Sequence, residues 1–301
     1  MTPAGGPVVV SETETADRRM ATLAALASVY VVWGSTYLVM RIAVESLPPM
    51  LMGAIRFSIA GGLLFLFGVV RRAQLPTVRQ WFLALPIGIL LFVGGNGLVA
   101  IGETRVSSGI AAVVCATMPL WMSVFAALSG ERPTAREWLG VALGLAGVVV
   151  LTSGAELSAE PVFAAILLGS PLAWAAGSIL ARRLPAAPGV MAAASQQLMG
   201  GVALAIVGFG RGERLPAVWT FDAIWSVAYL VVFGSFVAFT AYSWLLKNAR
   251  PALATSYAFV NPPLAVLLGA ALGAEQVDSA TVAATPLIVA AVVLVVSGKQ
   301  K

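Results

Sequence analysis

Ten stretches of about twenty apolar residues fill this chain, and the gaps between them are too short to hold a soluble domain. A helix of ~20 residues crosses the ~30 Å hydrocarbon core of a bilayer, where backbone polar groups must be satisfied within the segment. The pattern predicts an all-α membrane protein with spans at roughly 21–44, 49–70, 80–101, 107–128, 137–153, 162–182, 189–209, 222–246, 252–273 and 280–297. Basic residues are distributed unevenly around these spans. The tails and even-numbered gaps hold Arg18, Arg19, Arg71, Arg72, Arg79, Arg132, Arg136, Arg182, Arg183, Lys247, Arg250, Lys299 and Lys301, thirteen of the eighteen in the chain. The odd-numbered gaps hold Arg105, Arg211 and Arg214, with Arg41 at the edge of the first span, and Arg56 lies within the second. Arg and Lys mark the cytoplasmic side, so both termini are expected to be cytoplasmic.

Composition excludes several other classes. Charged residues make up only 10% of the chain, against ~25% in soluble domains. The positive balance is spread thinly over short loops, where topology accounts for it, so nucleic acid is not expected as a partner. The single Cys115 permits no intramolecular disulfide. Residues 1–19 carry Glu12, Glu14 and Asp17 and lack the basic-then-apolar layout of a cleaved signal. They read as a disordered cytoplasmic tail.

The remainder divides into two related units, 20–153 and 154–298. Arg71-Arg72-Ala73-Gln74-Leu75-Pro76 matches Arg211-Gly212-Glu213-Arg214-Leu215-Pro216 at an offset of 140. Trp33 matches Trp174, and each has an Arg eight residues on, Arg41 and Arg182. Ala60-Gly61-Gly62 answers Met199-Gly200-Gly201; Pro119 and Gly130-Glu131 answer Pro263 and Ala274-Glu275 at an offset of 144. Each unit has five spans, so the second copy enters the membrane from the opposite side. Inverted repeats of this kind enclose a substrate site near the midplane and allow alternating access.

Val32-Trp33-Gly34-Ser35-Thr36-Tyr37, Leu47-Pro48-Pro49 and Arg56-Phe57 resemble the opening of EamA-type proteins of the drug/metabolite transporter superfamily. The run Pro251-Ala252-Leu253-Ala254-Thr255-Ser256-Tyr257, then Asn261-Pro262-Pro263-Leu264 and Gly273-Ala274-Glu275, is similar to the same family. The resemblance covers about 20–298. It implies ten helices in two inverted five-helix units around a central cavity. It also implies export of small metabolites, amino acids among them, across a bacterial inner membrane. Oligomeric state stays open, with a monomer as one option.

Helical spacing nominates the cavity wall. Trp33, Thr36, Tyr37 and Met40 share one face of the first helix, and Trp174 shares a face with Ser178 in the sixth. Trp33 and Trp174 lie near mid-span, unlike Trp81, Trp138, Trp219, Trp225 and Trp244, which sit near span ends as belt anchors. Packing between helices is the competing reading for both. If they face the cavity, changing either to Ala impairs transport with little loss of expression, and Trp219→Ala is milder. Asn96, Met118, Trp121, Tyr242, Tyr257 and Asn261 complete the candidate substrate contacts, with interhelical hydrogen bonding the alternative for the two Asn. Pro119, Pro262 and Pro263 are candidate hinges, because proline removes a backbone donor and bends a helix. Arg56 needs a partner at membrane depth. Glu103 or helix-end carbonyls are candidates, and a clamp within the first unit is favoured over substrate contact. Glu131 and Glu275 close matched helix ends, where ordinary solvation is the simpler reading.

The chain has no histidine, and no acidic residue lies in a span interior; Glu103 comes nearest. Proton relays in membranes use such groups, so facilitated uniport is favoured over proton-coupled export of drugs, nucleosides or other metabolites. No protease constellation, metal-ligand set or nucleotide-binding Gly-Lys motif is present, so no cofactor or metal is expected and the chain reads as a non-enzyme. A receptor or structural protein is the alternative from another class.

Overall fold

The computed structural model describes residues 12–128, 134–154, 157, 160–249 and 254–296. Among these every regular element is helical. Eight helices are long and apolar enough to cross a membrane: α1 Arg19–Val44, α2 Pro49–Val70, α3 Val78–Gly102, α4 Ser108–Phe125, α5 Ala135–Thr152, α6 Pro161–Arg183, α7 Val190–Gly210 and α8 Phe221–Asn248. Two shorter apolar helices follow, α9 Tyr257–Leu272 and α10 Ser279–Val296. Large apolar side chains such as Val70, Phe82, Val149, Ile206 and Phe209 point outward and are exposed. Apolar surface of this extent is compatible with lipid and not with water.

Local chemistry sets the helix boundaries. Thr77 and Gln80 form a reciprocal capping box that opens α3, and Thr134 and Glu137 do the same for α5. Prolines occupy the first turns of α2 and α6, where the missing N–H is no loss. Helices α2 and α7 end alike: Ala73 N–H donates to Gly68 O and Glu213 N–H to Gly208 O. The turn residues there are Arg72 at φ 54° and Gly212 at φ 79°, so the matched sequences at 71–76 and 211–216 make the same turn. The expected disordered tail is corrected in part. The described helix runs from Glu12, not from after residue 19.

The two halves of the chain pack against each other. Helix α2 lies along α7, α5 along α10, α6 against α3 and α4, and α1 against α8 and α9. Glycine permits the closest of these approaches: a Cβ on Gly88 of α3 would sit 2.7 Å from the backbone of Gln196 and Gly200 on α7. Gly144 and Gly147 meet Ala291 and Ile288 across α5–α10 in the same way.

Three helices widen into π-helical turns, at Val29–Trp33 in α1, Ile89–Gly97 in α3 and Leu230–Ala238 in α8. Widened turns leave carbonyls open to other donors. Helix α4 is interrupted at Ala116–Thr117, just ahead of Pro119, whereas Pro262 and Pro263 lie inside continuous helix in α9.

Candidate functional site

The π-helical turns converge on a cavity of about 70 Å³ between the two halves. This volume holds a few water molecules and is smaller than typical ligand sites, so the described arrangement is a contracted one. Of the eleven residues nominated as substrate contacts, Trp33, Tyr37, Asn96, Met118, Trp174 and Tyr257 line it. Thr36, Trp121, Ser178, Tyr242 and Asn261 do not. The Thr36 hydroxyl donates to Trp33 O. Ser178 donates to Trp174 O and shares a 2.8 Å hydrogen bond with the Tyr242 hydroxyl. Trp121 is half-buried against the core beside the cavity. Asn261 is buried with both amide atoms unpartnered among the described residues.

The two tryptophans are placed in mirrored fashion. The Trp33 indole N–H donates to Gly234 O in the π-turn of α8 at 3.1 Å. The Trp174 ring lies against Gly95 in the π-turn of α3, where a Cβ would come within 2.5 Å of it. Trp33 is also the centre of an aromatic cluster, with ring centroids 5.5 Å from Trp174, 5.0 Å from Tyr257 and 4.9 Å from Tyr242. Tyr257 opens α9 and Tyr242 lies late in α8, so the cluster bounds the cavity toward the end of the bundle where α1 begins. A Tyr30–Ser256 hydroxyl contact of 2.5 Å lies further toward that end.

The opposite end, carrying the connections after α1, α3, α7 and α9, is held by carboxylates that cross between halves. Glu213 accepts from the Met50 and Leu51 amides at the start of α2, at 3.3 and 2.9 Å. Glu275 accepts from the Ser108 amide and hydroxyl and the Gly109 amide at the start of α4, at 3.0, 2.9 and 3.3 Å. Free helix N–H groups and the positive end of the helix both favour a carboxylate there. Solvation of a helix end, the sequence reading for Glu275, is therefore corrected to a bridge. Its repeat counterpart Glu131 lies outside the described residues.

Arg56 also departs from expectation. Its Nε donates to Ser235 Oγ on α8 at 2.7 Å, so its shortest bond reaches the second half, while Nη1 makes longer contacts with Asn96 and Met40 of the first unit at 3.5 and 4.0 Å. Glu103 is fully buried, and neither carboxylate oxygen has a hydrogen-bond partner among the described residues; Arg41 reaches only its backbone carbonyl. Sequence reasoning missed Phe57, Gly95, Cys115, Ser170, Pro171 and Phe239 in the lining. The spacing of Ser170 four residues before Trp174 was a usable signal, since it places both on one helical face.

The model of the EamA-like transporter family matches residues 19–153 and again 161–297. The chain belongs to the EamA-like transporter family. It is 46% identical over 276 residues to the inner membrane transporter YedA of Escherichia coli K12, covering 91% of this chain and 90% of that protein. It is 27% identical over 275 residues to the transporter YvbV of Bacillus subtilis strain 168, covering 90% of each. A solved crystal structure at 22% identity superposes with a TM-score of 0.66, covering 92% of this chain and 97% of that one, a likeness of fold alone.

Proposed function

We propose that this EamA-like protein exports small neutral metabolites, foremost aromatic and other neutral amino acids, across the bacterial inner membrane, with both termini cytoplasmic. Transport runs by alternating access of two inverted five-helix repeats, 20–153 and 154–298, with Pro119, Pro262 and Pro263 as flexing points. The observation that carries the reading is the cavity between the halves, walled by indole and phenol rings and by Asn96 and Ser170. Aromatic faces suit an apolar side chain and the polar groups a solvated head. The repeat assignment is supported by the pairing of α2 with α7 and α5 with α10 and by π-turns at corresponding places in α3 and α8.

Facilitated uniport is supported by the lack of carboxylates among the described cavity-lining side chains. A second reading, exchange for protons, is favoured by Glu103, buried near the end of α3 with no hydrogen-bond partner for its carboxylate among the described residues. Purified protein in liposomes, with equal phenylalanine on both sides and an imposed pH difference, separates the two. Uniport is expected to give counterflow exchange without accumulation. Concentrative uptake abolished by a protonophore and by Glu103→Gln would establish proton exchange instead. Absence of any flux for amino acids would remove them as substrates.

A further inference from the structure

Arg56 is 3% exposed and lines the cavity, and its guanidinium is a planar cation with five donors. Its guanidinium is thinly partnered. Nε has the short bond to Ser235 Oγ, while Nη1 reaches Asn96 Oδ1 only at 3.5 Å and Met40 Sδ at 4.0 Å. Nη2 makes no hydrogen bond among the described residues and lies 2.8 Å from where a Cβ on Gly234 would sit. Below the guanidinium is the Phe57 ring, 4.7 Å from Cζ to centroid. The one ion pair among the described residues is Arg211 with Glu213, so no carboxylate stands at ion-pair distance from Arg56. The Trp174 ring also lines the cavity, and its buried Nε1 has no hydrogen-bond acceptor among the described residues. An unpaired charge at membrane depth is costly, and so is an unsatisfied buried donor.

We infer that Arg56 is the carboxylate-binding group of this cavity, selecting small monocarboxylates whose apolar part packs on Trp33, Trp174 and Tyr257. This rests on the exporter reading and replaces its neutral-solute class with solutes that carry one carboxylate, neutral amino acids among them. Nη1 and Nη2 form the fork that pairs two oxygens of a carboxylate. An entering carboxylate supplies the missing counter-charge. Among the described residues no Asp or Glu side chain lines the cavity, so an ammonium group meets aromatic faces and the Asn96 amide there but no counter-charge. The acid is required and the amine is dispensable.

Binding of three probes, L-phenylalanine, phenylacetate and L-phenylalaninamide, to purified protein tests this through the intrinsic fluorescence of the cavity tryptophans. L-phenylalanine and phenylacetate are expected to bind with similar affinity, and the amide at least tenfold more weakly. Arg56→Gln is expected to bring both acids down to the level of the amide, with Arg56→Lys between. Should Arg56→Gln fail to fold, the wild-type panel decides alone. Equal binding of acid and amide, or an acid preference that survives Arg56→Gln, overturns the inference. Binding of none of the three at millimolar concentration also overturns it. Counterflow of an uncharged nucleoside through the same protein would then show that the exporter reading stands without it.

Discussion

Trp33→Ala is expected to abolish transport and to lower stability by roughly 3–5 kcal/mol, the range for truncating a buried large aromatic. The ring is 8% exposed and meets the rings of Trp174, Tyr242 and Tyr257, each from a different helix. Its N–H is also the donor that satisfies Gly234 O in the widened turn of α8. Removing it opens a void between α1, α6, α8 and α9 and frees a carbonyl at membrane depth. The sequence-based expectation of lost transport with little loss of expression is thus revised for this residue. Trp174 is only half-buried and its N–H has no hydrogen-bond partner among the described residues, so Trp174→Ala is expected to lose transport at a smaller cost in stability. Trp33→Phe keeps most of the ring contacts and loses about 1 kcal/mol with the hydrogen bond. Thermal unfolding in detergent, read beside flux per folded molecule, separates the three variants. Equal melting temperatures for wild type and Trp33→Ala would contradict the packing role.

The second large effect is expected at Glu275. Its carboxylate satisfies two amides and a hydroxyl at the start of α4 and ties the second half of the chain to the first. Hydrogen bonds to a charged group contribute ~1.5–3 kcal/mol each, and every 1.4 kcal/mol shifts an equilibrium tenfold. Glu275→Ala should therefore move the population toward a form open at this end of the bundle by at least tenfold. Cys115, the single cysteine, lines the cavity and reports on this directly. Its alkylation by a membrane-impermeant maleimide should be slow in wild type and at least tenfold faster in Glu275→Ala from that side. Glu213→Ala is expected to act in the same direction, since its carboxylate holds the start of α2. Unchanged labelling in both variants would mean the bridges do not hold the closed form.

Much of this architecture is legible in the sequence because the bilayer imposes a simple rule on hydropathy. Span positions follow from it, and the Trp33–Tyr37–Met40 face follows from helical spacing. What escapes are features that depend on contacts between segments distant in the chain. Ser178 and Tyr242 stand on cavity-like faces by spacing, yet they satisfy one another and turn away from the space. Nothing in Gly94-Gly95-Asn96-Gly97 distinguishes a widened π-turn from an ordinary glycine-rich helix, and only the neighbouring Ala173 and Trp174 reveal why those residues are small. Glu275 reads as a solvated helix-end acid because its partners lie 167 residues away, and Glu213 draws no notice because its partner lies 162 away. Arg56 invites a search for a carboxylate nearby in sequence, and the structure supplies instead a serine from the other half.

The route of the solute is tested most directly at Cys115. Counterflow exchange of labelled phenylalanine in proteoliposomes would be measured before and after complete alkylation of this thiol. If solute passes through the cavity between the halves, alkylation abolishes exchange, unlabelled phenylalanine slows the loss, and Cys115→Ala exchanges normally and is insensitive. Undiminished exchange through fully alkylated protein would contradict a path through this cavity.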